Sequence, residues 1–380
     1  MRPSFSLFRW RGIAIGAHWS LLVIAGFLAW GLADSTLPAE AAGYRAVEYW
    51  IVGAATSLLF LASITAHEMG HAIVAQRRGL GVSSITLWMF GGVAALEEQP
   101  GTWRTELLIG LAGPGVSAVL GGLTMVAAGL VNAWSDSSLI VHGLVWFGTS
   151  NLVLAGFNLL PGAPLDGGRV VAALRWRSHG DATRARAEAA RAGLAVANLM
   201  IAAGVVMIFT GMLDSGLWFA FLGWFLASAA RQELAVEVMH HSLENVTIAQ
   251  VMTSDPVTVP RGTTIGELIH IVLPRARGST VPVVDQGRLV GLVTPAQFRS
   301  LPPAQWDHTV VEAIAIPRAS IITLHRDGHL DAVLDRMMGG DRRAVVVDAH
   351  DVVVGVVSPT DIARAAQHAM LREIAQHEQR

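Results

Sequence analysis

Apolar residues along this chain gather in six long stretches, at about 13–33, 48–76, 106–131, 139–160, 192–213 and 216–230. Each comes near the roughly 20 residues that a helix needs to cross the hydrocarbon of a bilayer, the last being the shortest. After about Arg231 the pattern changes. Charged and apolar residues now mix, and short runs such as Val281-Pro282-Val283-Val284-Asp285 and Ala344-Val345-Val346-Val347-Asp348 read as buried strands between helical segments. The chain therefore divides near residues 232 to 245. A polytopic α-helical membrane part comes first and a soluble α/β part follows.

The segments between the apolar stretches refine this picture. Gly79 to Gln99 is too interrupted to span, and Ser84-Ile85-Thr86-Leu87-Trp88-Met89-Phe90 is rich in strand formers. Gly91-Gly92 is expected to turn it back into Val93-Ala94-Ala95-Leu96, giving a membrane-associated β-hairpin. It reads either as a plain connector or as a strand edge on which an unwound peptide could pair. Arginines at 2, 9 and 11, at 77, 78 and 104, through 169 to 191 and at 231 alternate with loops holding Asp34, Glu40, Asp136 and Asp214, where Arg45 is the only arginine. By the positive-inside rule both termini face the cytosol. Residues 169 to 191 then read as a cytosolic surface helix touching anionic lipid headgroups. The run from Ile13 to Ala33 follows Arg2, Arg9 and Arg11 as in a signal peptide, but it is long enough to span and reads as a retained helix.

Composition supports a membrane protein, with 52% hydrophobic residues and a mean hydropathy of +0.48 over 380 residues. A net charge of −2, without a long basic stretch, gives no reason to expect nucleic acid. There are no cysteines. No disulfide can form, and any zinc site must be built from histidine and carboxylate.

Such a site is suggested inside the second apolar stretch by His67-Glu68-Met69-Gly70-His71. On a helix His67 and His71 share a face and can hold one Zn²⁺, while Glu68 is placed to take a proton from the attacking water. Short matches of this kind arise by chance, but ionisable side chains in a membrane-length segment are expensive and point to function. A hydrolytic zinc site needs a third protein ligand. Asp166, in the helix-breaking stretch Asn158-Leu159-Leu160-Pro161-Gly162-Ala163-Pro164-Leu165-Asp166-Gly167-Gly168, reads as a turn or N-cap residue or as that ligand, and the ligand is chosen here. Ala112-Gly113-Pro114-Gly115-Val116-Ser117 reads as close helix packing with a local kink, and His18 as a buried, hydrogen-bonded histidine.

The soluble part contains an internal repeat of roughly 60 residues. Val251-Met252-Thr253, Val281 to Asp285 and Gly291 to Pro295 correspond to Val310 to Ile314, Ala344 to Asp348 and Gly355 to Asp361. Neither unit alone buries both faces of its strands, so pairing of the two is expected. The expected division is a membrane-embedded domain at 1–235 that carries the metal site, a linker at 236–244, a first repeat domain at 245–302 and a second at 303–380 that ends in a helix.

These motifs resemble the site-2 protease family of intramembrane zinc metalloproteases, in the subgroup with a C-terminal tandem of cystathionine-β-synthase (CBS) domains. His67 to His71 is similar to the family's HExGH, Phe90-Gly91-Gly92-Val93-Ala94 to its GGxA stretch, and Asn158 to Gly168 to its NxxPxxPLDGG. The resemblance implies one Zn²⁺ on His67, His71 and Asp166, with Glu68 activating water. It further implies that Gly91, Gly92 and Asn158 position a transmembrane protein substrate, which is cut within the bilayer of the cell membrane. The CBS resemblance covers about Leu243 to Gln367 and implies an adenine nucleotide, with Ser358 and Asp361 at its site. Thr294-Pro295-Ala296-Gln297 has Gln where Asp361 stands in the second unit, which puts a first nucleotide site in doubt. Homo-oligomerisation through the CBS pair is also expected. Two other readings compete: a catalytically silent membrane sensor with a structural metal, and a transporter with a regulatory tail, which is disfavoured because the polar residues cluster at two cytosol-side motifs.

Overall fold

The computed structural model describes residues 3–89, 91–96, 98–134, 138–243, 246–274, 280–299, 301–330, 337 and 343–377. Phe90, Asp136 and the linker residues Glu244 and Asn245 lie outside the described residues. The chain forms two compact units, Met1–Glu237 and Val238–Arg380.

Six helices of the first unit are long and apolar enough to cross a membrane. They are built from α1 (Ser20–Gly31), which continues through a π-helical turn at Leu32–Thr36 into α2 (Leu37–Glu40), then α3 (Ala46–Arg77), α4 (Trp103–Trp134) and α5 (Ser138–Asn158), and, beyond α6 (Asp166–His179), α7 (Ala182–Phe209) and α8 (Leu213–Leu243). Large apolar side chains such as Leu58, Val126 and Leu199 are more than half exposed. That is the surface expected of helices whose solvent is lipid, since the helix satisfies its own backbone groups. α4 runs through Pro114 as one helix.

Two boundaries differ from the sequence expectation. The first apolar run is split: Ile13–Ala17 is a strand and the helix starts only at Ser20. The fifth crossing helix begins at Ala182, ten residues before the expected start. The Asp181 carboxylate accepts from the Arg184 N–H at 2.9 Å, and this cap with the alanine-rich sequence behind it extends the helix through the arginine-rich stretch.

The hairpin belongs to a larger sheet of four strands in the order β1-β2-β3-β4. β1 (Phe5–Trp10) and β2 (Ile13–Ala17) form a hairpin whose tip, Arg11 and Gly12, takes positive φ at both residues, as a twist-matched two-residue turn requires. β2 pairs in parallel with β3 (Val82–Trp88), which pairs antiparallel with β4 (Gly91–Leu96). Gly91 and Gly92 are therefore strand residues opposite Trp88 and Leu87, and the turn lies before them rather than on them. Ile13, Ile15, Ile85 and Leu87 bury one face of the sheet against Ala72, Ala75 and Ile109, which anchors the sheet to α3 and α4.

The second unit holds two further four-stranded sheets. β5 (Thr253–Ser254) opens the first repeat but pairs with β12 (Val353–Val357) of the second, while β9 (Ile316–Pro317) opens the second and pairs with β8 (Arg288–Val293) of the first. Between them, β6 (Val259–Pro260) and β7 (Val281–Asp285) complete one sheet, and β10 (Ile322–His325) and β11 (Ala344–Val347) the other. Each repeat lends the other an edge strand, which is how two units too thin to stand alone share a core.

Candidate metal centre

α3 carries His67 and His71 one turn apart, both buried, and their rings lie 5.0 Å apart at 73°. The two Nε2 atoms are 3.3 Å from each other. Asp166, the first residue of α6, meets them with Oδ2 at 3.1 Å from His67 Nε2 and Oδ1 at 3.2 Å from His71 Nε2. These three residues are the group of metal-capable side chains found among the described residues.

The rear of each imidazole is fixed by α4. His71 Nδ1 lies 2.6 Å from the Ile109 carbonyl, which can only accept, so the proton sits on Nδ1 and the lone pair on Nε2 faces Asp166. His67 Nδ1 lies 2.9 Å from Ser117 Oγ, itself fully buried. Between these contacts Gly113 leaves room for both rings: a Cβ there would stand 2.5 Å from His67 Nε2 and closer still to His71 Nε2. Gly110 does the same for α6, where a Cβ would come within 3.2 Å of the Asp166 carbonyl oxygen.

The donor set fits zinc. Bonds of about 2.0 to 2.1 Å in a tetrahedron put ligand atoms about 3.3 Å apart, which matches the separation of the two Nε2 atoms, while each Nε2 has a different Asp166 oxygen within 3.2 Å. Two neutral imidazoles and one carboxylate, each imidazole anchored through its other nitrogen, are the set and the outer contacts of a hydrolytic zinc site.

Glu68, between the two histidines in sequence, is half-buried. A Cβ on Gly92 would lie 2.6 Å from its Cδ and 3.0 Å from Oε1, so the carboxylate rests against the bare backbone of β4. Gly91, with φ of 134°, is the adjoining strand residue. Asn158 is not brought into the cluster: its Nδ2 donates to the Leu154 carbonyl of its own helix at 3.0 Å. His18 is half-buried and bonds Ser20 Oγ through Nδ1 at 2.8 Å. Sequence reasoning missed Ile109, whose backbone oxygen leaves no trace in sequence. Gly113 and Ser117 lay inside a stretch read as helix packing, and packing is what Gly113 provides, against the imidazoles.

In the second unit Ser358 N–H and Oγ–H donate to Asp361 Oδ2 at 3.0 and 2.6 Å, while Asp361 N–H donates to Ser358 Oγ at 3.3 Å. Thr294 N–H and Oγ–H likewise donate to Gln297 Oε1, at 2.9 and 2.5 Å. The Ser358 pair is a capping box, whereas Gln297 N–H donates to the Thr294 carbonyl at 3.1 Å. Asp361 also lines a cavity of about 550 Å³ with Gln250, Thr253, Arg364 and His368.

The model of Peptidase family M50 matches residues 55–134 and 121–202, and the CBS domain model matches 248–301 and 311–368. "Putative zinc metalloprotease Rip3" of Mycobacterium tuberculosis is 41% identical over 371 residues, 96% of this chain and 93% of the relative. The chain belongs to peptidase family M50. Within M50 it is also similar to the zinc metalloprotease MJ0392 of Methanocaldococcus jannaschii, at 27% identity over 98% of this chain and 99% of that one. Among solved structures, the site-2 protease from M. jannaschii is 26% identical with a TM-score of 0.38, covering 60% of this chain and 94% of its own. This M50 member is thus a multi-pass zinc metalloprotease of the site-2 type, with a helical membrane part followed by a CBS pair.

Proposed function

We propose that this protease hydrolyses a peptide bond in or near the transmembrane segment of a membrane protein, in regulated intramembrane proteolysis at the cell membrane. The observation that carries the proposal is the convergence of His67 and His71, on a helix of membrane-spanning type, with Asp166 at the start of α6, all within 4.8 Å of one another, with Glu68 against β4. His67, His71 and Asp166 hold the metal. Bound zinc supplies Lewis acidity, lowering the pKa of water to about 7 and polarising a carbonyl. Glu68 takes the proton of the attacking water and delivers it to the leaving amine. β4 is an edge of its sheet among the described residues, and Gly91-Gly92 on it offer bare backbone beside Glu68, so an extended substrate segment is held there by main-chain bonds. Asn158 is assigned a second positioning role, at the end of α5 eight residues before Asp166.

Six crossing helices put both ends of the membrane part on one side, and the arginine-rich loops assign that side to the cytosol. The domain limits proposed are 1–235, 236–244, 245–302 and 303–380. The CBS pair is assigned an adenine nucleotide at Ser358 and Asp361, modulation of the protease, and self-association. The cavity beside Asp361, with Arg364 and His368 available to phosphate, supports the nucleotide. Glu68→Gln in the full chain tests the catalytic reading: zinc stays at one per chain and cleavage of a membrane substrate is lost. Full cleavage by Glu68→Gln, or loss of its zinc, refutes the assignment.

A further inference from the structure

Glu106 stands in the first turn of α4 and is only 4% exposed, yet neither the zinc ligands nor the proton path use it. A carboxylate so buried needs partners. It has two, on two other helices: Oε2 lies 3.2 Å from Arg186 Nη2 of α7, and Oε1 lies 3.9 Å from Arg169 Nη1 of α6. Arg186 is also bound by Gln99 and lies over the Trp176 ring at 5.9 Å. Three helices are joined at one carboxylate.

The place of this junction gives it a consequence. Arg169 follows Asp166 by one helical turn, and Glu106 precedes by one turn the Ile109 and Gly110 that touch His71 and the Asp166 backbone. α4 already fixes both imidazoles, through Ile109 and Ser117. What remains is to fix α6, and hence Asp166, against α4. We propose that Glu106 is a positioning residue for the zinc centre, which through Arg169 and Arg186 holds the start of α6 in register with α4 and so sets the Asp166 carboxylate against His67 and His71. The inference rests on the reading of Asp166 as a ligand. A purely local role is the alternative, since an acidic residue in a first turn complements the helix dipole.

Zinc affinity separates the two. Full-length protein in detergent is prepared as wild type, Glu106→Gln, Arg169→Gln, Asp166→Ala and Glu188→Gln, and zinc dissociation constants are measured by chelator competition. Visible spectra of the cobalt-substituted forms report the ligand field without reference to activity. Glu188 is the control, because it ties α6 to α7 through Arg175 at 2.5 Å, nine residues or about 13 Å along α6 from Asp166. Glu106→Gln and Arg169→Gln are expected to weaken zinc about 10- to 100-fold and to alter the cobalt spectrum, as loss of an outer partner does. Glu188→Gln should match wild type. Wild-type affinity and spectrum in both Glu106→Gln and Arg169→Gln overturn the inference, as does an equal loss in Glu188→Gln, which would mark general destabilisation. If Glu106→Gln does not fold, Arg169→Gln carries the same test, because it leaves Glu106 paired with Arg186. Tight zinc in Asp166→Ala would refute the ligand reading instead, whereas loss there with wild-type behaviour in the other two refutes the positioning role alone.

Discussion

Gly113→Ala adds one methyl group to the face of α4 that lies against both imidazoles, and nothing else in the chain changes. That methyl carbon would stand 2.5 Å from His67 Nε2, 2.7 Å from His67 Cδ2 and closer still to His71 Nε2. Non-bonded carbon and nitrogen settle at about 3.5 Å, so each ring must retreat by about 1 Å. A metal site tolerates about 0.2 Å in its ligand distances. Two of three ligands are therefore displaced several times beyond tolerance, and zinc affinity should fall at least about 100-fold, or about 2.7 kcal/mol. The comparison variant is Gly115→Ala, two residues along the same helix, where a Cβ meets nothing within 4 Å. Both variants gain the same helix propensity, roughly 0.5 to 1 kcal/mol, so a difference between them reports the imidazoles. The measurement is zinc per chain and chelator competition on purified protein, with thermal unfolding of the metal-free forms as the check on folding. Wild-type zinc affinity in Gly113→Ala refutes the packing argument, and equal loss in Gly115→Ala assigns the effect to α4 as a whole.

Gly92→Ala pushes a methyl into the Glu68 side chain and leaves the imidazoles alone, so zinc content should stay at one per chain while kcat falls about 100-fold, within the range for a displaced general base, as measured on a membrane substrate. Asp361→Asn should weaken adenine nucleotide binding several-fold by calorimetry while Gln297→Ala barely alters it, because both residues cap helices but only the carboxylate accepts from two ribose hydroxyls without donating. Equal effects of the two substitutions, or no binding of ATP, ADP or AMP by wild type at millimolar concentration, would leave capping as the whole role of Asp361. Accessibility tags at the C-terminus and near Glu40 should report opposite sides of the membrane, and matching sides would break the six-helix arrangement.

The six crossing helices were legible because lipid forces a simple rule on sequence: a long apolar run must satisfy its own backbone. The same rule hid β1 and β2. Ile13 to Ala17 adjoins the apolar residues of α1, and hydropathy does not separate a buried strand from the start of a spanning helix. Gly91 and Gly92 were legible as special but not as strand residues: Gly92 has no side chain where Glu68 lies against it, and Gly91 takes a φ of 134° at the start of the strand. In the soluble unit the repeat was plain, but the exchanged strands β5 and β9 are two residues each, too short to show alternation. His67, Glu68 and His71 were legible from spacing, and the meeting of the two histidines with Asp166, 99 residues after His67, is a matter of tertiary structure. The contacts that orient them were not, since Ile109 acts through its carbonyl and Glu106 looks like any acidic residue opening a helix.

Under the proposed function, Gly92 beside Glu68 also bears on how a transmembrane substrate would be cut. A helix in lipid hides its carbonyls in internal hydrogen bonds, and each backbone group freed without a partner costs several kcal/mol there. Unwinding a few residues beside Glu68 would therefore be prohibitive unless new partners stand ready. On the proposed reading β4 would supply them, since β3 occupies one of its edges and the other is unpaired in the sheet order among the described residues. Gly92 permits the Glu68 carboxylate to lie directly on that strand. A substrate strand added at the free edge would exchange its helical bonds for ladder bonds, at the place where its carbonyl is needed. The sheet would then replace lost hydrogen bonds as well as hold the substrate, and helix-breaking residues near the scissile bond would speed cleavage by lowering what remains of the unwinding cost.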